Sequence, residues 1–298
     1  MRSLCPPLLA FVLLAPCTGC GDRTGPPTEG TPANADPEPL FVAVPAERSG
    51  VTFANTLQES SALNYFMYEY LYNGAGVAVG DLNNDGLQDL YFCGNMAEDR
   101  LYLNKGGLRF EDVTAKAGFG AHTGWHTGVT MADVNNDGWL DIHVCRAGWT
   151  PDPAERTNLL YMNNGDMTFT ERAAELGIAD TTRTTQAVFF DHDRDGDLDL
   201  FTLNCPLQGS RITSEDVERA VRDNTAPTSR LFRNDGARFT DITREAGLTS
   251  MGYGLGVAVC DLDGDGRTDI YMANDYMEPD RMYLNNGHGK YIDVVKQR

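Results

Sequence analysis

Basic residues are scarce in this chain. Its 24 Lys and Arg stand against 43 Asp and Glu, for a formal net charge of −19 and a pI near 4.5. Such a surface repels phosphate backbones and acidic headgroups, which excludes nucleic acid as a partner and leaves a lipid anchor as the only route to a membrane. Histidine is rare as well, five in 298 residues. There is no H-E-x-x-H, no G-x-S-x-G and no phosphate-cradling glycine loop, so the common protease, esterase and nucleotide-binding signatures are missing. Beyond Cys20, the cysteines at 93, 145, 205 and 260 form no C-x-x-C pair. Each lies in or beside an apolar run, which reads as a small buried hydrophobe rather than a disulfide framework. The apolar stretch Leu8–Leu14 is far too short to span a bilayer.

That stretch has another meaning. Arg2, the apolar run and the small residues before Cys20 read as an export signal over 1–20. "CTGCGD" is similar to a bacterial lipobox, with Cys20 the lipidated residue, although Cys17 stands where Leu is usual. The expected location is the bacterial outer membrane or cell surface as a lipoprotein; an ordinary cleaved signal would give a periplasmic or secreted protein. Residues 21–39 are rich in Pro, Gly, Thr and acid, which suits a flexible tether.

From residue 40 the chain repeats itself. "DLNNDGLQD", "DVNNDGWLD", "DHDRDGDLD" and "DLDGDGRTD" begin at Asp81, Asp133, Asp191 and Asp261. A short run rich in Gly, Ala and Val precedes each loop ("GVAVG", "GVTMA", "AVFF", "GVAVC"), and a second apolar run follows it. Next come "LYLNKGG", "LYMNNGD", "LFRNDGA" and "MYLNNGH"; Asn164-Gly165, Asp235-Gly236 and Asn286-Gly287 suit tight hairpins, with Lys105-Gly106 the weaker version in the first repeat, and a fourth run such as "RFEDV" follows. Four short antiparallel strands per repeat predict an all-β fold, a β-propeller with blades at about 75–118, 127–177, 186–247 and 254–298. A helix is expected over 214–222, and "FVAVPAERSGV" over 40–51 predicts a strand of a further blade, so that the four blades make an incomplete ring.

The loops carry oxygen at positions 1, 3, 5 and 9: Asp81, Asn83, Asp85, Asp89; Asp133, Asn135, Asp137, Asp141; Asp191, Asp193, Asp195, Asp199; Asp261, Asp263, Asp265, Asp269. Position 6 is always Gly, and position 7 (Leu87, Trp139, Asp197, Arg267) varies as a backbone-carbonyl ligand can. Hard oxygens in this number fit Ca²⁺ better than Mg²⁺, and about four structural calcium ions are expected. An EF-hand is excluded, because position 12 is Phe92, Val144, Thr202 or Met272 instead of Glu.

These motifs resemble the FG-GAP/VCBS repeat family, and "LNYFMYEYLYNGAGVAVGDLNNDG" with the "F-x-D-V-T" connectors is most similar to its cartilage-acidic-protein-like branch. The resemblance implies integrin-type propeller blades with calcium between the first two strands, and a binding or adhesion role. The calcium loops and hairpin turns fall on one face. The variable loops fall on the other, with Trp125, His126, Trp149, Arg183, Tyr253 and Tyr276 as candidates for an extracellular protein or glycan ligand. The near-alternating Tyr65, Phe66, Tyr68, Tyr70 and Tyr72 read as a half-buried strand. The alternative function is a calcium-dependent carbohydrate-active enzyme such as a polysaccharide lyase, for which His126 or Tyr276 would be the base.

Overall fold

The computed structural model describes residues 39–119, 124–206, 229–249, 252–275 and 278–295. Cys20, the tether, Tyr276 and the helix expected over 214–222 lie outside these residues. The main compact unit runs from Val44 to Arg298.

Among the described residues the strands form four four-stranded antiparallel sheets, each in simple up-and-down order. Blade 1 holds β1 (Val77–Gly80), β2 (Asp89–Phe92), β3 (Arg100–Asn104) and β4 (Phe110–Asp112). Blade 2 holds β5 (Trp125–Ala132), β6 (Asp141–Ala147), β7 (Leu159–Asn163) and β8 (Phe169–Glu171). Blade 3 holds β9 (Thr184–Phe190), β10 (Asp199–Asn204), β11 (Arg230–Asn234) and β12 (Phe239–Asp241). Blade 4 holds β13 (Tyr253–Cys260), β14 (Asp269–Asp275), β15 (Arg281–Asn285) and β16 (Tyr291–Asp293).

Side chains alternate along each strand, so a blade has two apolar faces and must bury both. Leu82, Tyr91, Leu101, Ile142 and Val144 fill the space between blades 1 and 2. Leu160, Ile178, Ala187, Leu200 and Phe239 fill the next, and Phe201, Leu203, Leu231, Ile270 and Met272 the third. The result is a β-propeller that stays open rather than closing into a ring. Cys93, Cys145 and Cys205 are buried as small apolar residues; Cys260, on a strand that no further blade covers, is exposed.

The first strands crowd together, which explains their small residues. A Cβ on Gly128 would lie 2.7 Å from the Thr185 carbonyl oxygen of the neighbouring blade. At the outer rim, Thr114 Oγ1 donates to Asp112 Oδ1 (2.6 Å) and accepts from Leu101 N (2.9 Å). Thr243 repeats this with Asp241 and Leu231. The "F-x-D-V-T" motif is therefore a clasp that pins the short fourth strand to the third.

Two expectations need correction. Residues 40–51 form no strand: Ala46–Ser49 is one helical turn (α1), closed by Gly50 with φ of 76°. Pro45, which has no N–H, caps this turn, and Phe41 and Val42 are exposed. The turn matches α2 (Thr114–Ala117, then Gly118) and α3 (Ala173–Leu176, then Gly177). Gly50, Gly118, Gly177 and Gly247 each face the carbonyl oxygen of the first residue of a fourth strand, from Phe110, Phe169, Phe239 and Tyr291 respectively. "PAERSG" is thus a connector without its strand. The aromatic run is not a strand either. Phe66 N donates to Asn64 Oδ1 (3.0 Å), Leu63 N to Ser60 Oγ (3.1 Å), and Glu69–Tyr72 is a 3₁₀ turn. Local side-chain hydrogen bonds have captured the backbone that alternation suggested was extended.

Substituting Gly128 by Ala is expected to destabilise the protein by about 1–3 kcal/mol, because the opposing atom is backbone and cannot swing aside. The control is Gly256→Ala, whose Cβ would meet nothing closer than 3.9 Å. Urea denaturation of the two variants checks this; equal midpoints would contradict the close approach.

Candidate metal centres and the opposite face

All four acidic loops share one hydrogen-bond plan. At position 1, Asp81 Oδ1 accepts from Asp85 N (3.1 Å) and Oδ2 from Gly86 N (2.8 Å). Asp133 does the same with Asp137 and Gly138, and Asp261 with Asp265 and Gly266. In the third loop Asp191 accepts from Arg194 N and Gly196 N. At position 5, Asp85, Asp137, Asp195 and Asp265 each accept from the backbone of position 7, from Leu87, Trp139, Asp197 and Arg267. These bonds curl the loop so that its remaining oxygens converge.

Position 9 differs. Asp89, Asp141, Asp199 and Asp269 have essentially no exposed surface. One oxygen of each accepts from the backbone of position 2: Leu82 (3.0 Å), Val134 (3.1 Å), His192 (2.8 Å), Leu262 (2.8 Å). The other accepts from the last residue of the third strand, Asn104, Asn163, Asn234 or Asn285, each at 2.8 Å. This carboxylate rivets loop to sheet. Each oxygen still keeps a lone pair for an ion. Burial is the main cause that raises the Asp141 pKa to about 6 and that of Asp199 to about 7, against their backbone hydrogen bonds.

The donor set fits a hard cation. One carboxylate oxygen from each of Asp191, Asp193 and Asp195 lies within 4.8 Å of the others, and so do those of Asp261, Asp263 and Asp265. At that distance each like-charged pair repels by roughly 1 kcal/mol even with full water screening. In the first two loops position 3 is Asn, whose Nδ2 donates to position 5: Asn83 to Asp85 (3.0 Å) and Asn135 to Asp137 (2.8 Å). Those loops relieve the repulsion internally and carry less charge. In the fourth, Arg267 pairs with Asp265 and also donates to Asn285 O (2.7 Å).

Adjacent loops are joined. Position 4 adopts φ between 55° and 80° in Asn84, Asn136, Arg194 and Gly264. Its side chain reaches the next loop: Asn84 Nδ2 to Gly138 O (2.9 Å), Asn136 Nδ2 to Asp197 Oδ1 (3.1 Å), and Arg194 to Gly266 O. A second latch runs inward. Asn163 Nδ2 donates to Leu82 O (2.9 Å), Asn234 Nδ2 to Val134 O (3.0 Å) and Asn285 Nδ2 to His192 O (3.1 Å). The sequence reading missed this role, although Asn in the same place of all four third strands was its signal.

On the opposite face the candidates separate. Trp125 is buried, edge-on to Tyr68 (5.6 Å) and Trp149 (5.4 Å), in a cluster with Leu63, Leu71 and Cys205. Arg183 is spent on backbone, with Nε to Gly148 O (2.8 Å) and Nη2 to Thr150 O (3.2 Å). Tyr253 packs against the same aromatic cluster. His126 is buried, and both oxygens of Asp99 lie 2.8 Å from its Nδ1. Asp99 is a site residue that sequence reasoning did not find. The signal was the pair Asp99-Arg100, which returns as Asp280-Arg281; each Asp accepts from a second-strand tyrosine, Tyr91 or Tyr271.

Asp141→Ala leaves two buried N–H groups unpaired and is expected to cost about 2–4 kcal/mol in a urea titration. Asp141→Asn, which keeps one acceptor, is expected to cost less. The raised values of Asp141 and Asp199 set a pH dependence. With chelator present, the neutral carboxyl is favoured in the fold, so stability rises as pH falls from 8 towards 5. With calcium, protons compete with the ion and the slope reverses. Melting curves at several pH values, with and without calcium, check both signs; identical slopes would separate these carboxylates from any metal.

A family model for the FG-GAP-like repeat matches residues 81–144, 149–202 and 220–272, together more than half of the chain. Cartilage acidic protein 1 of Xenopus tropicalis is 27% identical over 202 residues, 67% of this chain and 29% of that protein. The human protein of the same name is 27% identical over 207 residues, covering 67% and 28%. The chain thus spans under a third of the length of these curated relatives. Among solved structures, the V. cholerae biofilm matrix protein Bap1 overlaps 76% of this chain and 30% of its own, at 13% identity and a TM-score of 0.39. The matched segments include all four acidic loops: the chain belongs to the FG-GAP-like repeat family.

Proposed function

We propose that this chain is an exported, calcium-stabilised β-propeller that serves as a surface binding or adhesion module for an extracellular protein or glycan. The observation that carries this reading is the set of four all-oxygen loops in register, in which clustered carboxylates outnumber the basic side chains that pair with them. The lipobox-like "CTGCGD" and the following tether support anchoring through Cys20, with the propeller held away from the bilayer.

The magnitudes support a structural role for the ion. An affinity of roughly 0.1 mM, typical of extracellular modules, with about 1 mM calcium gives about 1.4 kcal/mol per site. Four sites then add about 6 kcal/mol, comparable to the whole stability margin of a domain, about 5–15 kcal/mol. The lyase reading has less behind it. A uronate substrate is anionic, and the carboxylates Glu98, Asp99 and Glu155 border the cavity beside His126.

Metal-stripped protein titrated with calcium is expected to take up about four ions by calorimetry, with a large rise in melting temperature. No uptake and no shift would refute the calcium scaffold. Adhesion is checked separately, by retention of the calcium-loaded protein on surfaces coated with extracellular proteins or polysaccharides. Retention on none of them would count against the binding role.

A further inference from the structure

The face opposite the acidic loops contains a cavity of about 360 Å³, within the ~300–1,000 Å³ range of small-molecule sites. Its wall includes Asn95, Glu98, Asp99, His126, Trp149 and Glu155. The histidine is held unusually firmly. Asp99 accepts from Tyr91 Oη (2.7 Å) and Gly94 N (2.8 Å), and both its oxygens face His126 Nδ1. Asn95 Nδ2 donates to the His126 carbonyl (2.9 Å) and to Gly74 O (3.1 Å). With the proton on Nδ1 committed to Asp99, Nε2 is left as a hydrogen-bond acceptor. That atom is buried, has no hydrogen-bond partner among the described residues, and belongs to a side chain only 4% exposed. Buried polar atoms are normally satisfied, so an unsatisfied acceptor on a cavity-lining residue suggests a donor that arrives from outside.

The rest of the wall narrows the chemistry. Glu98 and Glu155 supply further acceptors, and Glu98 is shared with Arg100 at 2.9 Å. Arg146 lies against the Gly124 part of the wall, its Nη1 donating to the carbonyls of Ala154 (3.3 Å) and Thr157 (3.2 Å). Among the described residues of the wall, the carboxylates Glu98, Asp99 and Glu155 favour a ligand rich in hydrogen-bond donors. Trp149, half-buried against Trp125 and Tyr68, adds an aromatic surface. Hydroxyl donors on a compact body with an apolar side describe one ligand class well. We infer that this cavity is a binding site for a neutral sugar residue, with a hydroxyl donating to His126 Nε2, others to Glu98 and Glu155, and the sugar's C–H side against Trp149. The inference rests on the binding-module reading above and gives it a location and a ligand class.

The test uses the full calcium-loaded chain and four probes: cellotriose, mannotriose, trigalacturonate and trilysine, followed by calorimetry and tryptophan fluorescence. At least one neutral trisaccharide is expected to bind and to change the fluorescence, with affinity at least tenfold weaker in His126→Phe. Because His126 is buried, that variant counts only where its melting temperature stays near the parent's. The exposed Glu155→Gln is the second variant, expected to weaken binding about threefold, and it decides alone where His126→Phe does not fold. Binding of trigalacturonate or trilysine alone, no binding of either neutral sugar, or affinity unchanged in the deciding variant overturns the proposal. Surface retention that persists in Glu155→Gln while the trisaccharides fail to bind would sink this site and leave the adhesion reading standing. Loss of retention everywhere would sink the latter.

Discussion

A single carboxylate with no exposed surface recurs in each blade, and the rest of the architecture hangs from it. Asp89, Asp141, Asp199 and Asp269 accept one backbone N–H from the start of the acidic loop and one from the end of the third strand. Without this pair of hydrogen bonds the loop would have no fixed entry and the hairpin no fixed register. A buried carboxylate is costly, which its hydrogen bonds offset only in part. The neighbouring cluster of negative charge adds to the cost. A cation in the loop, as proposed above, would address both.

The loops also make the blades interdependent. Each third-strand asparagine of blades 2, 3 and 4 spans to the loop of the blade before it, and each position-4 side chain of the first three loops spans to the loop after it. In the fourth loop position 4 is Gly264, which has no side chain to extend further. Repeat proteins add stability through nearest-neighbour interfaces. Here those interfaces carry polar latches in addition to apolar packing, and both depend on the loops keeping their shape.

Most of the blade architecture was legible because it repeats. Four acidic loops, the glycine-bearing hairpin turns and the period-2 strands between them reinforce one another, so no single weak signal had to be trusted. The clasp in "F-x-D-V-T" and the connector in "PAERSG" were visible as patterns, but not as hydrogen bonds. The errors came where the chain does not repeat. Alternation in Tyr65–Tyr72 resembled a strand until Asn64 and Ser60 bent the backbone with their own side chains. The segment over 40–51 was matched to a strand and a connector together, and only the connector half found a surface to sit on. The cavity around His126 was legible only in part, because Asp99 lies 27 residues from it in the chain and pairing across blades leaves no local spacing to read.

The aromatic segment between the connector and the first strand has a mechanical consequence. It packs at once against Trp125 of blade 2, Cys205 at the end of blade 3's second strand, and Tyr253 of blade 4, while Tyr70 Oη donates to Asp275 (3.4 Å). The chain enters the compact unit at Val44, so tension applied from the N-terminal side meets the connector on blade 1 and then this segment before it reaches β1. A pull that would otherwise peel β1 from β2, one hydrogen bond at a time, is instead divided among three blades. The segment works as a strain relief at the point where the cable meets the plug.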